Sequence, residues 1–274
     1  MWSRSAIGAA AASGALLVSV TGLALAGSGG GSPAAVKPPA AQSTPGPIQS
    51  APPAVLSSCW MPGPAGDVTI TTAQAQDLTT RAARGLRRGQ SPADFADRVQ
   101  RSLGGAAQPA LHVARGLMGV PDADRLTCSS SRADVQPEKM GPSGLTPRAA
   151  RLRRAWTDVF GALPAGGFAR GGLSRGHVDN SAHYEGRAID VFFRPLESAA
   201  QRRKGWVFAQ WVVAHAEQLH VLSVIYANHI WTSWGSSMGF RDYQHPGGPT
   251  KNPVLRHLEH VHVAVESGRP FRAR

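Results

Sequence analysis

Two cysteines among 274 residues are too few for a disulfide scaffold or an all-thiolate zinc or iron–sulfur site. Any metal here must rest mainly on histidine and carboxylate. Acidic residues are also scarce: 17 against 29 basic leaves a formal charge of +12, and such a surface attracts polyanions. No nucleic-acid motif and no aromatic-basic platform accompanies that charge, so nucleic acid is not the expected partner. Beyond the first thirty residues no stretch is apolar enough to span a bilayer, which excludes a multipass protein. What the chain does have is ten histidines, together with 31 glycines and 21 prolines whose abundance points to a long unstructured portion.

Arg4 precedes a chargeless Ala/Leu/Val/Gly run from Ala6 to Ala26 that closes on Ala24-Leu25-Ala26, the small-x-small pattern of a signal peptidase site. Residues 1–26 therefore read as a signal peptide, or as an N-terminal membrane anchor if cleavage does not occur. Either outcome places the rest of the chain outside the cytoplasm, secreted or anchored, with membrane contact only through this segment. Residues 27–57 are nearly all Pro, Ala, Gly, Ser, Gln and Thr. They bury too little apolar surface to offset ordering entropy and read as a linker.

Two segments of different period follow. In 58–130 apolar residues recur at helical spacing, as in Leu78, Ala82 and Leu86, then Phe95, Val99 and Leu103, then Leu111, Val113 and Leu117. Ser91-Pro92-Ala93-Asp94 marks a helix start and Gly104-Gly105 its end. Cys59 and Cys128 bracket this unit and are expected to pair in an oxidising compartment. In 142–272, a basic amphipathic helix over Thr146–Phe160 carries Leu152, Trp156 and Val159 on one side, with Arg148, Arg151, Arg153 and Arg154 largely elsewhere. Strands are expected at Ala188–Phe193, Val221–Ala227 and His260–Val265, and a helix at Trp206–Leu219. The fold class is α+β.

Chemistry concentrates in two stretches. Ser181-Ala182-His183-Tyr184-Glu185-Gly186-Arg187-Ala188-Ile189-Asp190 puts an imidazole in a turn and a carboxylate in the strand that follows. His257-Leu258-Glu259-His260-Val261-His262 leads into alternating valines, so His260 and His262 share one strand face while Val261, Val263 and Val265 share the other. Zinc accounts for this combination: His183, Asp190 and His262 fill three tetrahedral positions and leave the fourth for water. Glu259, at the strand entry, is the expected base, swung beside His262 by a turn or bulge. His260 or His257 would orient these groups or stabilise an oxyanion. Without zinc, His183 and Asp190 read as a hydrogen-bonded pair at a strand end.

The two stretches resemble the motifs of the hedgehog/D-alanyl-D-alanine peptidase family, Ser-x-His-x-x-Gly-x-Ala-x-Asp and acidic-x-x-His, the first complete at Ser181, His183, Gly186, Ala188 and Asp190, the second standing at Glu259 and His262. The resemblance covers roughly Arg148 to Gly268. It implies the zinc peptidase fold, a small antiparallel sheet with helices, and cleavage of peptide bonds in bacterial cell walls, with the same ligands and base. The arginine element that holds a substrate carboxylate in the familiar carboxypeptidases is reduced here to Gly171-Gly172-Leu173-Ser174-Arg175, which leaves Arg175 as its candidate replacement. The segment from Ile230 to Pro253, with Trp231 and Tyr243, is similar to a tryptophan-rich loop of exported actinobacterial relatives. With Ser181, these residues are the substrate-binding candidates.

Three functions follow as expectations: an exported zinc peptidase acting on peptidoglycan, a non-catalytic wall- or metal-binding module on the same fold, and a structural zinc site closed by His257 or His260. Adhesion of the purified protein to cell-wall material is expected to weaken as salt rises, because a +12 surface is screened. Retention that is equal at low and high salt in a pull-down would refute the electrostatic account.

Overall fold

The computed structural model describes residues 58–105, 107–131 and 135–268; the signal or anchor at 1–26 and the linker at 27–57 lie outside the described residues. Strand β1 (Ser58–Met61) leads to β2 (Val68–Thr71), helices α1 (Thr72–Arg87), α2 (Pro92–Leu103) and α3 (Ala107–Leu117), and strand β3 (Thr127–Cys128). β1 is the centre of a three-stranded antiparallel sheet in the order β2-β1-β3. The helix boundaries have local causes. Thr71 and Gln74 form a capping box at α1, and Ser91 and Asp94 form another at α2, where Pro92 occupies the first turn. Each satisfies backbone N–H groups that the helix itself leaves open, an effect of about 1 kcal/mol per cap. Gly104, at φ 62°, ends α2 in the left-handed conformation that glycine adopts without a Cβ clash.

The rest of the chain supplies α4 (Pro147–Phe160), β4 (Ala165–Gly166), β5 (Ala188–Phe192), α5 (Ala199–Ala214), α6 (Ala216–Leu219), β6 (Val221–Tyr226) and β7 (His229–Thr232). A 3-10 turn (Ser233–Met238), β8 (Arg241–Asp242) and β9 (His260–Val265) complete it. These strands form a six-stranded sheet in the order β4-β5-β9-β6-β7-β8, antiparallel throughout. The fold is α+β.

One face of the large sheet is apolar. Ile189 and Val191 of β5, Val224 and Tyr226 of β6, and Val261, Val263 and Val265 of β9 are all buried. Against them lies an aromatic layer in which Phe208 of α5 meets Trp156 of α4 and Phe193 at ring distances of 5.5 and 5.7 Å. The alternation of β9 therefore leaves His260 and His262 on the opposite face, with Asp190 directly across from His262 in the register of β5 and β9.

The division of 58–130 from 142–272 by period does not carry into the core, since side chains of both segments belong to one hydrophobic cluster. Fully buried Gln210 of α5 joins them: its side-chain carbonyl accepts from the Leu126 N–H at 2.8 Å and its amide donates to the Gly116 carbonyl at 2.9 Å. Trp211 Nε1 donates to Thr80 Oγ1 of α1 at 3.1 Å. Two expectations on helix faces need correction. Leu111 is 43% exposed, whereas Arg148 is only 4% exposed, because its guanidinium donates to the backbone carbonyls of Glu266 and Gln136 at 2.5 and 3.0 Å. Arg151, Arg153 and Arg154 are exposed. No helix among the described residues is long and apolar enough to cross a membrane.

Cys59 and Cys128 form the disulfide, buried between paired β1 and β3 and separated by 69 positions in sequence. A crosslink closing a loop of that length removes unfolded-state entropy worth about 4 kcal/mol. The Cys59→Ala/Cys128→Ala double variant should therefore lose stability on that order in chemical denaturation; an unchanged midpoint would show that the crosslink contributes nothing to the fold.

Candidate metal centre

The site forms where the paired strands β5 and β9 meet the turn before β5. Backbone bonds from Gly186 N–H to the His183 carbonyl and from Arg187 N–H to the Ala182 carbonyl, at 3.0 and 2.9 Å, coil this turn. Gly186 sits at φ 65°, and a Cβ there would lie 2.6 Å from the Gly144 carbonyl, so glycine is required. Ser181 serves the same turn, its Oγ accepting from the His183 N–H at 3.4 Å.

Three donor atoms converge. His183 Nε2 lies 3.0 Å from His262 Nδ1, His262 Nδ1 lies 3.1 Å from Asp190 Oδ1, and His183 Nε2 lies 3.3 Å from Asp190 Oδ1. The tautomers follow from the partners. His183 Nδ1 is 2.7 Å from the Gly167 carbonyl, which can only accept, so Nδ1 carries the proton and Nε2 presents a lone pair to the centre. The proton on His262 Nδ1 then bridges His183 Nε2 and Asp190 Oδ1. A divalent cation at the centre of these three atoms would draw on all of them at once. Ligand–metal bonds of 2.0–2.1 Å in a tetrahedron imply donor–donor edges of about 3.3 Å, and the observed triangle matches that size.

Burial opposes the charge on Asp190, yet the adjoining imidazoles of His183 and His262 outweigh it and hold the carboxyl well below its ordinary range. Further imidazoles surround the triangle. His177 stacks on His183 with ring centres 3.9 Å apart, and the donor atoms of His177, His183 and Asp190 lie within 4.8 Å of one another. That set is a possible metal-binding triad in its own right; its spacing reaches 4.8 Å against 3.3 Å in the triangle with His262, which is the tighter fit to one small ion. His177 is held by Tyr184, whose hydroxyl accepts from the His177 N–H at 2.9 Å and donates to the His177 carbonyl at 2.6 Å. Burial lowers the pKa of His177 first and its neighbour His183 lowers it further.

His260 Nε2 lies 3.9 Å from Asp190 Oδ1, and its buried Nδ1 has no hydrogen-bond partner among the described residues. His257, in the left-handed conformation at φ 53°, packs 4.8 Å from His260 and 5.6 Å from His262 by ring centre. Burial, followed by the charges His262 and His260 can carry, depresses its pKa to about 2. Burial is also the largest influence on His260 and lowers its pKa.

The remaining expected residues divide. Glu259 stands at the strand entry, its carbonyl accepting from the Phe193 N–H at 2.8 Å. Its carboxylate is taken not by His262 but by Arg194, whose Nε and Nη2 donate at 2.9 and 2.5 Å; a bidentate guanidinium 65 positions away outcompetes the neighbouring strand. Trp231 is fully buried on β7 and offers no surface to a ligand, which corrects its place among the substrate-binding candidates. Arg175 is exposed in the glycine-rich loop. Tyr243 is half-buried and meets His257 edge-on at 4.9 Å. It lines a cavity of about 390 Å³ with Asn228, His245 and Arg256. His177 was not anticipated; the signal available was a lone histidine in a glycine-flanked loop shortly before the first motif.

The family model described as VldE, C-terminal domain, matches residues 141–254. That span includes His177, His183 and Asp190 and ends before the strand that carries His260 and His262. Searches of curated proteins and of solved structures each give no match to the chain.

Gly167 provides a test of the donor triangle that touches no donor. Its φ is +77°, and a Cβ there would lie 2.6 Å from His183 Nδ1 and 3.0 Å from Asp190 Oδ2. Gly167→Ala must push both side chains aside. It should weaken Zn²⁺ or Co²⁺ binding by about 10- to 100-fold in equilibrium dialysis, and parental affinity in the variant would show that these side chains do not bind the ion.

Proposed function

We propose that the chain is an exported zinc metallopeptidase of the hedgehog/D-alanyl-D-alanine peptidase type that hydrolyses peptide bonds in peptidoglycan stems. The observation that carries this reading is the triangle of His183 Nε2, Asp190 Oδ1 and His262 Nδ1, with edges of 3.0, 3.1 and 3.3 Å. These atoms come from the two motifs that resemble the family, and in this reading they hold the ion and leave one corner open. Zinc supplies Lewis acidity there and lowers the pKa of water from about 15.7 toward about 7. Glu259 takes the proton from the attacking water and returns it to the leaving amine. Arg194 holds the Glu259 carboxylate in place, and His257 and His260 face the site from the turn before β9 and from β9 itself. The buried disulfide supports an oxidising, extracytoplasmic location, and the +12 charge supports adhesion to anionic wall polymers.

One observation favours the alternative of a wall- or metal-binding module without turnover: the bidentate grip of Arg194 on Glu259, which occupies the oxygens a base would use. Two measurements on the full exported chain separate the readings. Elemental analysis should find about one zinc per chain, and digestion of labelled wall peptides should fall about 100-fold or more in Glu259→Gln with zinc content unchanged. A zinc-loaded parent that releases no peptide would establish the binding module, and a Gln variant as fast as the parent would remove Glu259 as the base.

A further inference from the structure

A second concavity, of about 530 Å³, lies where the disulfide-tied strands meet the large sheet, and no residue of the metal centre lines it. Its size falls in the range of small-molecule sites, about 300–1,000 Å³. Its walls come from both segments of the chain. Trp60 of β1 and Thr127 of β3 are cross-strand partners beside the Cys59–Cys128 pair, and Trp206 of α5 meets Phe240 edge-on at 5.4 Å. Thr127 is 2% exposed, and its Oγ1 is buried with no hydrogen-bond partner among the described residues. A buried hydroxyl on a cavity wall calls for a partner from outside the protein. Gly239, at φ +64°, closes on Thr127 so tightly that a Cβ would lie 3.3 Å from Thr127 Cγ2, which keeps that stretch of wall bare of side chain.

The charges on the wall are mixed. Asp122 and Asp124 face Arg125 and Arg202 around the same concavity, two of each sign, so an ionic ligand gains no net field. Arg125 lies over the Trp206 ring at 4.5 Å, and its Nη1 donates to the Val120 carbonyl at 3.0 Å. Burial, the dominant influence, lowers its pKa to about 10, so it remains a cationic donor. Carboxylates that accept, guanidiniums that donate and a hydroxyl that does both stand beside aromatic rings. That combination matches a molecule with an apolar C–H face and a rim of hydroxyl groups.

We infer that this cavity is a saccharide-binding site, separate from the metal centre, that takes a neutral pyranose glycan between Trp60 and Phe240, with Asp122, Arg125 and Thr127 on its hydroxyls. The inference stands on the cavity alone. Should the chain act on peptidoglycan as proposed, the ligand is the glycan strand, held while the metal centre meets the peptide.

Titration of the full chain with chitotriose, followed by tryptophan fluorescence and calorimetry, tests it. Saturable binding is expected with a dissociation constant on the order of 1 mM, unchanged in His183→Ala and after chelation, so that failure of the metal reading leaves this result standing. Asp122→Asn keeps a side chain that tolerates the left-handed backbone at φ 56°, and Ala123→Phe fills the cavity. Each folded variant should bind about tenfold more weakly or worse. No saturable binding to the folded parent, parental binding by folded Ala123→Phe, or displacement of chitotriose by the zwitterion alanylalanine would each overturn the assignment; if Ala123→Phe does not fold, parental binding by Asp122→Asn does so.

Discussion

Everything at the metal centre depends on one antiparallel register, the pairing of β5 with β9 that sets Asp190 across from His262. A shift of one residue in that pairing would exchange faces along the strand, turning both histidines of β9 into the apolar core and its valines out of it. The register is held by the apolar side of the same strands. Val261, Val263 and Val265 are buried, and each fully buried Val contributes about 1.5–3 kcal/mol relative to exposure. The chemistry on one face is therefore positioned by packing on the other. This is why the site needs a rigid sheet more than any bond among the donors themselves.

The segment with the strongest local pattern was the most legible. Strict alternation from His260 to Val265 marks a strand with those bounds, and Ser91-Pro92-Ala93-Asp94 marks the start of α2, because each signal is complete within a few residues. Elements with little local pattern were not legible. β3 and β4 have two residues each, too few for any period, and they exist because a longer strand lies beside them. Arg148 shows the same limit on a helix: a charged residue on a basic helix ordinarily faces water, and only the backbone carbonyls of Glu266 and Gln136 at its guanidinium explain its burial.

At the site, composition and spacing named the donors, and distance in sequence hid their neighbours. His183, Asp190 and His262 sit in two motifs whose types and order suggested convergence. The partner of Glu259 lies 65 positions earlier at Arg194, where no period or motif links the two. His177 is held by the hydroxyl of Tyr184, a residue inside the first motif that the motif reading used for nothing. Trp231 misled for a related reason. An aromatic residue among glycines reads as loop, yet β7 pairs with β6 and takes Trp231 into the core opposite Val224.

The helical segment has its own place in this arrangement. Its disulfide fixes β1 to β3, and buried Gln210 ties the stretch around Leu126 to α5, the helix that packs on the apolar face of the sheet. A buried amide that lost either carbonyl or N–H partner would cost about 1–3 kcal/mol, so the junction resists separation even where apolar contact alone would let the halves slide. The same junction forms the aromatic concavity, whose walls come from β1, β3 and α5. Metal donors and concavity thus lie on two products of a single core: one on the polar face that β5 and β9 leave open, the other at the seam where the helical segment meets α5. Loosening the seam would disturb the concavity first, because two of its walls belong to strands held by the disulfide, while the donor triangle would change only when the valine face itself lost its register.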